Sequence, residues 1–421
     1  MRTNLLKNIN ITELPNGITI ISEKIEHVKS FSLGFWFNVG SRDENEMNNG
    51  ISHFLEHMFF KGTKKRSAKK ISEEIESLGG YLNAFTSKEH TCLYGRGLTV
   101  HIEKTFEVLA DIVQNSTFAD KEISKEKNVV IDELNDIEDS PDELIFDKFE
   151  SNIFKNNSLG MPIIGTEQNL KKFTRNDLFS FINENYTSSK FFIVGSGNIN
   201  HNKLISFAER YLRKDFKKII TTQRTLNLHP TQDLFVEKDT QQVHYILGKA
   251  TYGLKDKERI AINVLSHILG EGSSSRLFQK IREEHGIAYQ INSFLNSFYD
   301  VSAFGIYLST NENSIHKAQS LIFSELKKIK ERKVSEIELS RAKEYLIGNM
   351  LMSLESTTYR MLRMAQSMIY YKKIRTVNES IKKVNAITQM DILKLSNEIF
   401  ENGTLTRVIL SPRNLLLIRA A

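Results

Sequence analysis

The stretch Ile51-Ser52-His53-Phe54-Leu55-Glu56-His57-Met58 orders the reading of the whole chain. Ile51, Phe54, Leu55 and Met58 recur at i, i+3, i+4 and i+7, the apolar stripe of an amphipathic helix. His53 and His57, four residues apart, sit about 40° apart around such a helix, and Glu56 falls on the same side. That side points roughly opposite the apolar stripe. One face therefore packs on a core, while the other presents two imidazoles and a carboxylate to a cavity.

The string H-x-x-E-H is the inverted zinc-peptidase pattern. A zinc hydrolase also needs a third protein ligand, with the fourth position left for water. Residues 126–133 (EKNVVIDE) offer one. Glu126 and Glu133 are seven apart, two helical turns, with Val129 and Val130 between them on the same face. Carboxylates on a half-apolar stripe are costly unless a cation meets them. A lysine or arginine would serve as that cation, and so would a metal. The residues alone leave both open.

Taken with further segments, the chain resembles the pitrilysin, or insulinase-like, zinc peptidases. The closest likeness is to the short-chain branch that holds the mitochondrial processing peptidase beta subunit and bacterial homologues. The resemblance starts at Leu14–Gly17 (LPNG) and Gly40–Glu44 (GSRDE), runs through Gly50–Thr63, and continues at Gly79–Ser87 (GGYLNAFTS). It then takes in residues 126–133, Pro162–Thr166 (PIIGT) and Arg282–Tyr289 (REEHGIAY).

This resemblance implies one Zn²⁺ per chain, held by His53, His57 and Glu133; Glu133 follows His57 by 76 residues, the family spacing. It makes Glu56 the general base for the metal-bound water. It makes Glu126 a residue that orients a ligand histidine by a hydrogen bond; the alternative for Glu126 is a helix-face salt bridge. Asn83, Ala84 and Phe85 match the sheet edge on which relatives bind extended peptide as an added strand, although an ordinary strand end with Asn at a turn fits the local sequence equally well. Arg282 and Tyr289 match a pair that grips substrate and steadies the tetrahedral oxyanion in relatives. By residue type alone, Arg282 could instead satisfy carbonyls at a helix C-terminus and Tyr289 could be core.

The implied activity is that of a zinc metalloendopeptidase acting on peptides or on unfolded, presequence-like segments. The alternative is a non-catalytic core or partner subunit, a fate that in this family goes with loss of the ligand set retained here. Full-length pitrilysin-type enzymes close two halves around a chamber, each half holding two related domains. This chain has the length of one half. The likeness therefore implies a homodimer in which Arg282 and Tyr289 act on the zinc site of the other subunit. The rival is a heterodimer with a degenerate partner, although such partnerships usually divide the two sets between chains and this chain has both. Ser52 and Glu271 depart from the family pattern without touching a position of the chemistry.

Composition agrees with this reading. Of 421 residues, 40% are hydrophobic and 26% charged, an ordinary globular balance in a chain longer than one domain. No apolar run approaches the ~18–20 residues of a membrane span. The opening residues lack the apolar core of a signal peptide and Cys92 is the sole cysteine; both predict a cytoplasmic, reducing setting. The net charge of +6 is spread along the chain, apart from short clusters such as Lys61–Lys70 (KGTKKRSAKK), which reads as a solvated loop. No nucleic-acid module is evident.

Outward from the opening helix, an order of elements repeats. A strand-like run over 31–40 precedes it; helical 69–77, strand-like 81–86 and 91–98, and helical 101–114 follow. In the second half come a strand at 242–248, helices at 259–269 and 277–285, strands at 287–295 and 301–309, and a helix at 315–331. This duplication predicts an α+β fold of two tandem, structurally related domains, each a mostly antiparallel sheet backed by helices, one half of a pitrilysin-type clamshell. The expected boundaries are a zinc-binding domain at 1–215, a linker at 216–233 containing Pro230, and a related domain without zinc at 234–421. His267 stands alone where the second copy would need its histidine pair.

Overall fold

In a computed structural model of the chain, residues 8–213, 216, 224 and 226–413 are described. The first seven residues and part of the expected linker lie outside them. Two sheets follow one another along the chain. The first contains β1 (Ile9–Glu13), β2 (Thr19–Lys24), β3 (Ser30–Phe37), β4 (Tyr81–Thr86), β5 (Thr91–Leu98) and β6 (Phe191–Gly197), in the order β1-β2-β6-β3-β5-β4. The second contains β7 (Leu234–Glu237), β8 (Val243–Tyr252), β9 (Gln290–Ser297), β10 (Val301–Thr310) and β11 (Thr406–Ser411), in the order β7-β11-β8-β10-β9. Each sheet is antiparallel apart from one parallel pair, β2–β6 in the first and β7–β11 in the second. Apart from β1, the two sheets share one strand order and one pattern of directions. The sequence duplication is a duplication of topology.

Five helices of the first half bear on the site: α1 (Ile51–Phe59), α2 (Ala68–Glu76), α3 (Ile102–Asn115), α4 (Asp120–Asp139) and α5 (Pro141–Ile153). Strand β3 explains the layering of the first sheet. Its residues alternate between faces, yet both sets are buried, as in strands covered on both sides. Phe35 meets Phe106 of α3 at 5.1 Å between ring centroids. On the opposite face Trp36 joins Phe192 and Val194 in a core with Met361, Met364 and Met368, from the helix Thr357–Tyr371. Gly34 keeps that face open, since a Cβ there would lie 2.5 Å from Trp36 Nε1. The second sheet is likewise covered twice. The helices Arg259–Gly270, Ile315–Glu331 and Gln389–Ile399 cover one face. Leu144, Ile145 and Phe149 of α5 meet Ile246, Val408 and Leu410 on the other.

The two compact units are therefore not two consecutive stretches. One consists of Met1–Asn135, Met161–Thr225 and Met352–Thr376; the other of Asp136–Gly160, Leu226–Leu351 and Val377–Ala421. One crossing, after Thr225, falls within the expected linker. The others arise because each sheet is apolar on both faces, and its second covering helix comes from the opposite half of the sequence. Within the linker, Arg224 is anchored in the first unit, donating to Asp43 Oδ2 at 2.6 Å and to the Glu89 carbonyl at 2.9 Å.

Lys61–Lys70 is only in part the solvated loop that its charge suggested: Lys64, Lys65, Lys69 and Lys70 are exposed, but one cation is not. Arg66 is buried and donates to Asp111 at 2.7 Å, Glu107 at 2.5 Å and Glu74 at 2.9 Å. The acids that face Arg66 come from α2 and α3, out of sight of the local sequence. Ala68 already opens α2.

Candidate metal centre

Helix α1 forms as its apolar stripe requires: Ile51, Phe54, Leu55 and Met58 are all buried. Its other face carries His53 and His57, whose ring centroids are 4.7 Å apart. Helix α4 brings Glu133 to them. His53 Nε2 lies 3.7 Å from Glu133 Oε1, and His57 Nε2 lies 3.5 Å from Glu133 Oε2. These separations are too long for hydrogen bonds. They are near the ~3.4 Å expected between two donors each about 2.1 Å from one tetrahedral ion. Among the described residues, His53, His57 and Glu133 are the one group of three such side chains whose ligand atoms converge, all within 4.8 Å of one another. Two neutral nitrogens and a carboxylate oxygen suit Zn²⁺, so the residues fit the ion that the motif implies.

The electrostatics differ at the two histidines. Burial, reinforced by neighbouring His57, pushes His53 down to about 4 and keeps it neutral. Its Nδ1 is buried without a hydrogen-bond partner. At His57, burial also opposes charge, but the hydrogen bond to Glu126 and the charges of Glu133, Glu126 and Glu56 outweigh it and raise the pKa. His57 Nδ1 donates to Glu126 Oε1 at 3.0 Å, while Lys61 Nζ holds Glu126 Oε2 at 2.6 Å. Burial of Glu126 is overcome by these two partners, which keep its carboxyl below the usual range. Glu126 thus accepts from His57 and is also ion-paired with Lys61, which follows α1 and does not lie on Glu126's own helix. Val130 is fully buried beneath it, whereas Val129 is half-exposed.

Glu56 lies beside this cluster. Burial is the main reason its carboxyl is raised, with Glu133 adding to it, while Thr86 and His57 act in the opposite direction. Thr86 ends β4, the outermost strand of the first sheet, which among the described residues pairs only with β5. Asn83 Oδ1 accepts from the Ala84 backbone N–H at 2.8 Å. Phe85 turns inward, edge-on to Trp36 at 5.4 Å. Asn83 and Ala84 therefore lie on a free sheet edge, while Phe85 contributes to packing.

Arg282 and Tyr289 belong to the second unit. Tyr289 is 77% exposed, so it is not core. The Arg282 guanidinium lies 5.5 Å from the Tyr289 ring and 4.8 Å from that of Phe278. Arg282 sits in a wide π-helical turn, Phe278–Glu283, a geometry frequent at functional sites. His267 stacks on Tyr345 at 4.2 Å.

Three residues near the centre escaped the sequence reading. Lys61 and Thr86 stood inside motif segments, but nothing local paired Lys61 with Glu126 or Thr86 with Glu56. Glu44 is buried, and burial pushes its carboxyl up to about 7 despite bonds from Gly50, Ser52 and Asn49.

A sequence model of the insulinase family (peptidase family M16) matches residues 19–167, and one for the M16 peptidase inactive domain matches residues 172–346. A Rickettsia felis protein named as an uncharacterized zinc protease is 37% identical over 414 residues, covering 97% of this chain and 99% of that one. One of the same description from Bacillus subtilis is 36% identical over 385 residues, covering 91% and 94%. The crystal structure of a Helicobacter pylori protease superposes with a TM-score of 0.90 at 22% identity, covering 96% of this chain and 99% of that one. A Pseudomonas fluorescens structure described as a peptidase M16 inactive domain gives a TM-score of 0.87 at 18% identity, covering 97% and 99%. The fold matches theirs. Among the described residues, no helix is long and apolar enough to cross a membrane.

Proposed function

The chain belongs to the insulinase, or M16, family of peptidases, and from that premise we propose that it is a zinc metalloendopeptidase cutting peptides or unfolded, presequence-like segments. The observation that carries this reading is the convergence of His53, His57 and Glu133 with Glu56 beside them. These three would hold one Zn²⁺, which when bound supplies a Lewis acid that acidifies water and polarises a carbonyl. Glu56 is the proton carrier. Its raised carboxyl accepts the proton of the attacking water and returns it to the leaving amine. Glu126, held by Lys61, keeps the His57 proton on Nδ1 and so turns the Nε2 lone pair toward the cluster.

The free edge of β4 at Asn83 and Ala84 suits an extended peptide added as a further strand, which engages main chain regardless of side-chain sequence. Arg282, a permanent cation, and Tyr289, a neutral donor, are suited to the developing oxyanion. In this reading they serve the centre of a second copy in a two-fold homodimer. A non-catalytic partner role is disfavoured by the complete ligand set.

The test is metal dependence. Chelator treatment of the purified chain should abolish hydrolysis of a mixed peptide library, and Zn²⁺ should restore it. Serine- and cysteine-directed reagents should leave it untouched, as Cys92 is buried. Full activity in protein shown to be metal-free would overturn the assignment.

A further inference from the structure

Helix α1 starts without a cap of its own, because its N-cap residue is Gly50, at φ 98°. Glu44 caps it from outside. Its Oε2 accepts from Gly50 N at 2.8 Å and its Oε1 from Ser52 N at 2.8 Å. Asn49 Nδ2 adds a third bond to Oε2 at 3.0 Å. The two oxygens thus grip backbone amides on either side of Ile51, and the residue after Ser52 is His53. Other helices of the same unit are capped by the ordinary device of one side chain on one amide: Ser67 on Lys70, Thr166 on Asn169, Thr174 on Asp177, Asn200 on Lys203. Only at α1 among these is a carboxylate buried for the purpose, although burying a charge carries a cost that a serine or threonine cap avoids.

The same helix end is clamped from a second side. Asn49 Nδ2 donates to the Pro162 carbonyl at 2.9 Å, and Asn169 Nδ2 to the Asn49 carbonyl at 3.2 Å. Gly50 and Gly165 pack backbone to backbone. A Cβ on Gly50 would stand 2.7 Å from the Ile164 carbonyl oxygen, and one on Gly165 2.6 Å from that of Asn49. This contact accounts for the Pro162–Thr166 motif, more than a hundred residues from the histidines, which has no chemistry of its own.

We infer that Glu44 is a positioning residue of the metal centre, fixing the rotation and height of α1 so that His53, Glu56 and His57 meet Glu133. The requirement is quantitative. Side-chain tips lie ~5–6 Å from a helix axis, so a 10° rotation moves them by about 1 Å, against a tolerance of ~0.2 Å for ligand distances. A cap that holds two amides with two oxygens resists both rotation and sliding, whereas a one-amide cap leaves the helix a pivot. The inference rests on reading His53, His57 and Glu133 as a zinc site.

The experiment compares full-length Glu44→Gln with Asn200→Ala, which removes a cap from the helix His201–Tyr211, packed on α3 and β2. Zinc affinity is measured by chelator competition, and geometry by the visible absorption of the Co²⁺-loaded protein. In Glu44→Gln one acceptor becomes an NH₂ that faces amide donors, so zinc affinity should fall about 10–100-fold and the cobalt bands should shift. Asn200→Ala should lower the melting temperature without either change. Unaltered affinity and spectrum in Glu44→Gln overturn the inference. Should Glu44→Gln fail to fold, Asn49→Ala keeps the carboxylate but removes one donor and the tie to Pro162. It should show the same cobalt shift with a smaller loss of affinity, and an unchanged centre there overturns the inference equally. Absence of zinc binding by the unaltered chain would overturn the reading of the centre, and this inference with it; equal binding by parent and variant overturns this inference alone.

Discussion

At the scale of single residues, the centre separates roles that share one chemistry. Glu56 and Glu133 are both glutamates beside two histidines, yet only Glu133 has oxygens facing both Nε2 atoms, at 3.5 and 3.7 Å. Glu56→Gln should therefore retain zinc while turnover falls by the ~10²–10⁴-fold typical of a lost general base. Glu133→Gln and His57→Ala should lose the ion. Metal analysis alongside kinetics checks this, and zinc-free Glu56→Gln beside fully loaded Glu133→Gln would reverse the roles. A pH effect follows at His90, which is buried between Trp36 and Phe85 and touches Tyr370. Burial, helped by Arg224, pushes it down to about 4. Between pH 6.5 and 4 the unfolded chain takes up a proton at this residue that the folded one refuses, so this contribution to stability is lost as pH falls through that window. The full effect is about 3 kcal/mol. Urea unfolding of metal-free wild type and His90→Phe from pH 4 to 7 should show stability converging toward the variant's at low pH; parallel curves would mean that His90 titrates normally. Most of the centre was legible because H-x-x-E-H is local. Lys61, Thr86 and Glu44 were not, because a lysine in a basic run or a glutamate in a loop acquires meaning only when tertiary folding brings its partner.

At the scale of elements, periodicity reads well where one element suffices. The observed β4, β5 and helix Ile315–Glu331 have the bounds their patterns predict. Strands β2, β6, β7 and β11 were not among the expected elements, and each finds its parallel partner some 170 residues away, which no local pattern encodes. The π-helical turn under Arg282 was equally unannounced, since a 3.6-residue stripe does not distinguish it from an α-helix. The start of α1 is sensitive to a small change. Gly50 needs a positive φ and has backbone atoms of residues 164 and 165 where a Cβ would go. Gly50→Ala should cost the ~1–2 kcal/mol of a left-handed L-residue and a further ~1–3 kcal/mol of overlap. Denaturant unfolding should show a loss of at least 2 kcal/mol, accompanied by weaker zinc binding. A change below 1 kcal/mol would mean that the 162–166 segment yields readily.

At the scale of the whole molecule, the duplication was legible as a repeated order of elements, but the exchange of covering helices was not. The stripe of Leu144, Ile145 and Phe149 announces an amphipathic helix without saying which sheet it covers. A fragment of residues 1–233 would carry α5 without its sheet and leave Trp36, Phe192 and Val194 without the helix Thr357–Tyr371. It should aggregate or bind hydrophobic dye when expressed alone, and co-expression with 234–421 should rescue it; a stable, monomeric fragment would contradict the exchange. The proposed homodimer sets a stricter test. The candidate zinc ligands with Glu56 lie in one unit and Arg282 with Tyr289 in the other, and one chain carries both sets. If the sets meet across a two-fold axis, a Glu56→Gln chain lacks the base at its own centre but still lends its Arg/Tyr pair. A chain with Arg282→Ala and Tyr289→Ala has the converse defect. Each should be nearly inactive alone. After subunit exchange a mixed dimer regains one site in which every group is present. With equal amounts and random pairing, half the dimers are mixed, and roughly a quarter of wild-type activity should return. Exchange is verified independently by differently tagged subunits that co-purify. Complete exchange with no recovered activity would mean that Arg282 and Tyr289 serve their own chain or no centre at all.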